Sequence, residues 1–341
     1  MASATALFAG LRHLRPANRN PHFGAVVRIL ASNDEIQLSA AGRELAIDTH
    51  VDGAVERSGF AVVPFTPLLA LLDRCGQNDV EISSATTARL DIGSSALEAS
   101  LRTFDIDEWT HLRLADADSF KLSAPESGAL AVVATAASTD PQRPTLSGVH
   151  LKDGLADATD TYQVVRAEVQ SWRGEVVLPV SAIAAVGADE GLSVSYDGSL
   201  VRLRSSHLTV RSTTVSGSFP DTAPFFQAEV TGKAEAGRVE MIDAVKSAAA
   251  LGPTDVTLQL HNDELQVSSD APDLGRVESR IDAEGELEGV HHVTARMLLR
   301  TLENATGQSI TLEMTKPGYF LIRCPAFDQL LMTRKRSATD S

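Results

Sequence analysis

The stretch RPTLSGVHLKDGLADATDTYQVV, residues 143–165, decides how the rest of the chain is read. Leu146, Val149 and Leu151 give a first strand its apolar positions. Lys152, Asp153 and Gly154 break it with turn chemistry, and the chain resumes through Ala158, Thr159 and Asp160 into Val164 and Val165. Alone, this predicts a hairpin of two strands around a polar turn. Its weight comes from its surroundings, because the segment that follows it recurs twice elsewhere.

GFAVVP at 59–64 runs into the apolar 66–72, GEVVLP at 174–179 into 181–186, and GVHHVT at 289–294 into 296–302. The leading glycines are 115 residues apart in both steps (174 − 59 and 289 − 174). A second echo, NDEIQLS at 33–39 against NDELQVS at 262–268, is offset by 229 (262 − 33), one residue short of twice that period. Self-similarity at a fixed period marks a repeated structural unit. Three tandem domains follow, at 1–116, 117–229 and 230–341.

The chain has 341 residues and 43% hydrophobic content, more than one core usually organises. No apolar run approaches the roughly 18 residues of a membrane span. The opening MASATALFAGLRHLR places its basic residues after the apolar part, which makes a poor signal peptide. Cys75 and Cys324 lie in different repeats without CxxC partners, which points to a reducing cytoplasm. A net charge of −15 argues mildly against a nucleic-acid partner.

Within the first repeat, Leu7, Phe8, Leu11 and Leu14 recur at helical spacing with Arg12 and Arg15 off that face, and Pro16 stops the helix. Strands are expected at 25–30, 36–39, 45–49 and 60–63, a helix at 67–72, strands at 80–83, 88–92 and 97–101, and an acidic linker at 105–118. The second repeat opens a helix at Pro125, places another at 181–186 and adds strands at 192–196, 201–204 and 208–211. The third has a helix over 237–251 with Val239, Ile242 and Val245 inward, another over 295–303, and strands at 256–260, 265–268, 310–314, 319–323 and 330–332. Each unit reads as two helices against antiparallel sheet, an α+β arrangement.

At this point four strings resemble a family: RPTLSGV at 143–149, ATD at 158–160, VLPVSA at 177–182 and GSFPD at 217–221. In order, inside a threefold repeat of matching length, they resemble the bacterial sliding clamp, the beta subunit of DNA polymerase III, over nearly the whole chain. The resemblance implies three DNA-clamp domains per subunit and a head-to-tail homodimeric ring, with helices lining the hole. It implies a non-enzymatic processivity factor that needs no cofactor. Implied partners are double-stranded DNA held without sequence preference, the polymerase III alpha subunit, the clamp loader and other proteins with clamp-binding motifs. Departures are Thr161-Tyr162-Gln163 where the family has Gly-His-Arg, and Met332-Thr333-Arg334-Lys335-Arg336 where it has Met-Pro-Met-Arg-Leu. The opening strand is also shortened.

A clamp needs a modest positive lining that touches phosphates and reads no bases. The cations placed on helices or on loops the family uses near DNA are Arg12, Arg15, Arg19, Arg74, Arg143, Lys246, Arg296 and Arg300, with Arg296 and Arg300 spaced i,i+4 on one stripe. Read from the residues alone, the same side chains are solvated helix faces. No Lys or Arg stands between Pro125 and Ala137, so the lining is uneven. The resemblance also implies a groove for an extended peptide with apolar anchors, here Leu146, Thr159, Thr161, Tyr162, Gln163, Val164, Pro220, Phe225, Leu330 and Met332. Without the resemblance, the aliphatic members are ordinary core. Ring closure requires pairing of a strand edge, with Leu97, Ala99 and Leu101 on one side and Ala249 and Leu251 on the other.

Catalysis finds little support: the chain contains no Gly-rich phosphate loop, Gly-x-Ser-x-Gly elbow or HExxH. His291 and His292 are adjacent and diverge on a strand, so metal binding is not expected, and Asp105, Asp107 and Glu108 read as a solvated linker. The alternative function is a clamp-fold binding or scaffolding protein that has lost DNA encirclement or partner docking.

Overall fold

The computed structural model describes residues 1–19, 25–86, 88–105, 119–187, 191–252, 254–271 and 273–334. The first repeat runs β1 (Ala2–Ser3), α1 (Ala4–His13), β2 (Val26–Ser32), β3 (Glu35–Ala41), β4 (Leu45–Asp52), β5 (Gly59–Pro64), α2 (Phe65–Cys75), β6 (Asp79–Thr86), β7 (Arg89–Gly93) and β8 (Glu98–Arg102). The second runs β9 (Ser119–Leu122), α3 (Ala124–Ala134), β10 (Gly148–Lys152), β11 (Leu155–Thr159), β12 (Gln163–Glu168), β13 (Val176–Pro179), α4 (Val180–Val186), β14 (Leu192–Tyr196), β15 (Leu200–Arg204) and β16 (Leu208–Thr213). After a short helix, α5 (Ala223–Phe226), the third runs β17 (Val230–Gly237), α6 (Arg238–Ala249), β18 (Asp255–His261), β19 (Glu264–Ala271), β20 (Gly275–Glu286), β21 (His291–Thr294), α7 (Ala295–Asn304), β22 (Ser309–Thr315), β23 (Tyr319–Arg323) and β24 (Asp328–Met332). The order strand, helix, four strands, helix, three strands therefore occurs three times.

Pairing repeats as well, apart from one added ladder in the third repeat, between β17 and β20. The strand orders are β1-β6-β7-β8 in one sheet, β5-β2-β3-β4-β16-β15-β14-β9 in a second, and β13-β10-β11-β12-β24-β23-β22-β17-β20-β19-β18-β21 in a third. One local cause is a shared turn. Asn33-Asp34, Asp153-Gly154 and Asn262-Asp263 each join two strands through two residues, and all six have positive φ, between 47° and 76°. Two-residue loops of this kind match the twist of antiparallel strands, and Asn, Asp and Gly tolerate them best. The strands close directly around them at Ser32–Glu35, Lys152–Leu155 and His261–Glu264.

The 143–165 stretch departs from the expected hairpin. Leu146 closes a 3-10 turn, Pro144–Leu146, ahead of the strand, and three strands follow where two were expected. The extra break falls at 160–162. The Asp160 carboxylate accepts from the Tyr162 N–H at 2.9 Å and the Gln163 N–H at 3.1 Å, and Thr161 stands at φ 81°. A side chain capping its own following backbone competes with the strand ladder. A β-branched residue there is strained by about 1–3 kcal/mol. Thr161→Gly is therefore expected to raise stability by about 1 kcal/mol, read as an upward shift of the urea midpoint at unchanged slope.

Two compact units emerge, one of residues 1–127 with 178–215, the other of 128–177 with 216–341. In the first unit, β4 pairs with β16 from Thr49↔Leu208 to Leu45↔Ser212, joining first-repeat and second-repeat strands in one sheet. Its helix α1 buries Ala4, Leu7, Gly10 and Leu11 and packs on α2. Fully burying each leucine contributes about 1.5–3 kcal/mol. In the second unit, β12 pairs with β24 from Gln163↔Leu331 to Arg166↔Asp328, joining second-repeat and third-repeat strands. There α6 packs on α7 and buries Met241, Ala244, Val245 and Ala248. Those spacings define its inward stripe. Val239, expected inward, lies about 200° round the helix from Met241 and is 57% exposed. Among the described residues no helix is long and apolar enough to cross a membrane.

Candidate functional site

In the second unit, register brings an apolar cluster together. Val164 stands opposite Leu330 across β12 and β24, while β23 puts Leu321 opposite Leu330 and Tyr319 opposite Met332. Val164, Tyr319, Leu321 and Leu330 form one buried cluster, with Phe226 and Ala228 packed against it. Phe225 meets the Tyr319 ring edge-on at 6.1 Å, and the Tyr319 hydroxyl donates to the Phe225 carbonyl at 2.8 Å. Burial raises the Tyr319 pKa, so that hydroxyl stays a donor. Phe225 and Met332 are the exposed rim, at 40% and 44%.

The segment carrying Phe225 is held from below. Arg166 makes two parallel bonds to Asp157 at 2.7 and 2.8 Å, and both reach the Thr222 hydroxyl, which donates to Asp157 at 2.8 Å and accepts from Arg166 at 3.0 Å. The same guanidinium lies 4.4 Å over the Phe226 ring. This planar fork suits a carboxylate and an aromatic face at once.

Thr159 and Gln163, expected in the peptide groove, are both buried. The Thr159 hydroxyl donates to the Gln163 carbonyl at 2.6 Å and accepts from the Thr161 N–H. Gln163 donates to Asp160 at 2.8 Å and accepts from Gln329, which accepts from Thr301 on α7. Their side chains therefore hold the 160–162 turn against α7. Leu146 is buried at 8%, so it supplies no open wall, while Pro220 is exposed.

Next to this cluster lies a groove of about 620 Å³ that unites residues expected at two separate sites. Thr161, Tyr162 and Gln163 from the peptide set line it together with Arg143, Arg296 and Arg300 from the DNA set, and Arg334 joins them. Arg296 and Arg300 do share a stripe of α7. Burial first, and the neighbouring Arg296 charge second, lower the Arg300 pKa, and its guanidinium donates to the Thr135 carbonyl. Arg143 is 3.6 Å from Asp140, and Arg334 is 2.9 Å from Asp255.

The remaining cations are dispersed. Arg12 and Arg15 are exposed at the end of α1 and Arg74 at the end of α2, in the first unit. Arg19 ends a 3-10 turn, Ala17–Arg19, and its side chain lies outside the described residues. In the second unit, Lys246 pairs with Glu303 at 3.1 Å. For the ring-closing residues, β8 is an edge strand among the described residues, with Ala99 and Leu101 half-buried on one face and Leu97 just before it. Ala249 and Leu251 lie on no strand: Ala249 ends α6 and Leu251 is in the turn after it. Among the described residues, β20 pairs only with β19 along 275–282, leaving that stretch an open edge.

Among the described residues no three His, Cys, Asp or Glu side chains gather as a metal-binding group. His291 packs edge-on against Phe320 and bonds the Glu288 carbonyl, while His292 bonds the Thr257 hydroxyl. Asp107 and Glu108 lie outside the described residues, as do Lys335 and Arg336. Burial pushes the Cys324 thiol up to about 12, far from a reactive thiolate.

The sequence reading missed Tyr319, Leu321 and Phe226 as members of the apolar cluster. The available signal was the unbroken apolar run from Tyr319 to Ile322, whose alternate residues Tyr319 and Leu321 stand opposite Met332 and Leu330.

A threefold repeat of this order and pairing, with an apolar cluster at a strand seam and cations on the helices, defines a DNA-clamp fold. No protein-family model matches the chain. The beta sliding clamp of Staphylococcus aureus is 23% identical over 290 residues, 77% of each chain. Among solved structures, the Bacillus subtilis sliding clamp superposes with a TM-score of 0.87 at 20% identity over 98% of both chains. The Helicobacter pylori beta clamp bound to a DNA ligase peptide gives 0.86 at 17% identity, over 98% of this chain and 99% of that one. The Bartonella birtlesii clamp bound to griselimycin gives 0.86 at 18%, over 98% of both. The fold is the bacterial sliding-clamp fold, and in sequence the chain is a relative of the beta sliding clamps.

Proposed function

We propose that this chain is a sliding clamp: a head-to-tail homodimer that encircles duplex DNA and tethers a replicative polymerase and other proteins bearing clamp-binding segments. The strand pairing shared by the three repeats carries the reading, supported by the clamp relatives. In this reading the domains span 1–116, 117–229 and 230–341. The DNA contacts are Arg12, Arg15, Arg19, Arg74, Arg143, Lys246, Arg296 and Arg300. The chain acts by holding, with no catalytic residue and no cofactor, in the cytoplasm.

A tether of this kind needs phosphate attraction weak enough to slide and a closed path that prevents escape. A net charge of −15 on the whole chain fits such a division, since a negative exterior disfavours DNA away from the lining. Partner segments dock by apolar anchors on the rim of Phe225 and Met332, above Val164 and Leu330. The β8 edge, with Leu97, Ala99 and Leu101, supplies one half of the subunit contact, and the open stretch of β20 the other. Ala249 and Leu251 flank it from the end of α6.

Loaded by its clamp loader on a nicked circular plasmid, the protein is expected to remain bound in about 0.5 M salt and to leave when the plasmid is linearised. Phosphate contacts alone lose several decades of affinity at raised salt on either DNA form. Equal loss from circular and linear DNA, or a monomer at micromolar concentration, would favour the scaffolding alternative.

A further inference from the structure

We propose that the basic groove beside the apolar cluster selects acidic partner segments, so that this chain's docking site reads carboxylates as well as apolar anchors. This rests on the docking role proposed above for Phe225 and Met332.

Four guanidinium groups, Arg143, Arg296, Arg300 and Arg334, line the groove against the carboxylates of Asp140 and Asp160, with Asp255 paired to Arg334 beside them, an excess of one positive charge (4 − 3) in a chain of net −15. The carboxylates are already engaged. Asp160 accepts from two backbone N–H groups and from Gln163, and Asp140 bonds the Gln142 N–H and faces Arg143. Among the described residues Arg296 has no carboxylate within 4 Å, and its charge depresses the pKa of partly buried Arg300. Like charges held together with one partly desolvated cost free energy that an entering anion recovers.

The groove continues the apolar cluster. Tyr162, 60% exposed, stands at its lip, and its carbonyl accepts from the N–H of Met332 on the rim. An extended segment with its anchors on Phe225 and Met332 therefore carries its neighbouring residues over Tyr162 toward Arg296 and Arg334. Arg334 is placed there by its N–H bond to the His292 carbonyl and its ion pair with Asp255. A protein segment fits better than duplex DNA. The Arg300 guanidinium is half-buried and bonded to the Thr135 carbonyl, so a chain lying inside the groove reaches it more fully than the phosphate of a passing duplex does.

The test uses two fluorescein-labelled nine-residue peptides with the same leucine and phenylalanine anchors, one with three glutamates beside them and one with three glutamines. Titrated by anisotropy against the full chain at 50 mM salt, the glutamate peptide is expected to bind at least 10-fold tighter. That advantage should shrink toward nothing at 0.5 M salt and in Arg296→Gln/Arg334→Gln, and return with Arg296→Lys/Arg334→Lys. Equal binding of both peptides would overturn the carboxylate selection while leaving the apolar site standing. Binding of neither peptide would count against the docking role itself. If the double variant weakens capture of a 20-base-pair duplex and leaves both peptides unchanged, the groove is a nucleic-acid contact and the proposal falls.

Discussion

Asp157→Ala is expected to cost about 3–5 kcal/mol of stability, because it strands the Arg166 guanidinium in a largely buried site. The Asp157 side chain is 8% exposed and that of Arg166 16%, so water cannot replace the lost carboxylate. The Thr222 hydroxyl loses an acceptor at the same time, and Phe226 loses a well-oriented cation. The variant's midpoint in thermal or urea unfolding should drop sharply. The double variant Asp157→Leu/Arg166→Met should recover most of the loss, since matched apolar replacement of a buried pair is often neutral. A loss below about 1 kcal/mol for the single variant would mean the pair is solvated and does not hold the 217–226 segment.

The second large effect is on docking. Phe225→Ala/Met332→Asp removes the two exposed apolar side chains at the rim and places a charge where an anchor would sit. Anchors of this kind are each worth about 2 kcal/mol or more, roughly 30-fold in affinity. Binding of a clamp-binding segment from the host's replicative polymerase, followed by calorimetry, should fall beyond detection, with circular dichroism unchanged. Both side chains are at least 40% exposed, so the fold does not depend on them. Leu146→Asp would be a poor probe of the same site, since it buries a charge in the core and confounds unfolding with lost binding. Undiminished binding would place docking elsewhere.

The period of the chain was legible because it rests on local chemistry. Gly59 opens, and Gly174 and Gly289 precede, strands that turn directly into helices, and Asn33-Asp34 and Asn262-Asp263 are turn formers at equivalent places. The break at Thr161 was not legible, since a β-branched residue is among the least expected at positive φ and only the Asp160 cap shows why it is there. Val239 misled for a different reason: apolar residues at 239, 242 and 245 suit a stripe, but Met241 and the alanines at 244 and 248 pack tighter against the sheet. Site residues depended on pairing across long separations. Gln163 meets Leu331 only because β12 and β24 share a ladder, and nothing near 160 in sequence announces Tyr319. The charged groove was hidden for the same reason, because Arg143, Arg296 and Arg334 come from three distant segments.

The two sheets that cross the repeat boundaries change what counts as an independent folding body. The middle repeat lends β16 to a ladder with β4 and β12 to a ladder with β24, so its halves are each completed by a neighbour. It has no separate cooperative existence. Excising residues 117–229 would expose two unpaired strand edges at once, and such a fragment would associate or stay unfolded. Heat or denaturant thus meets two bodies, although the gene-level pattern counts three.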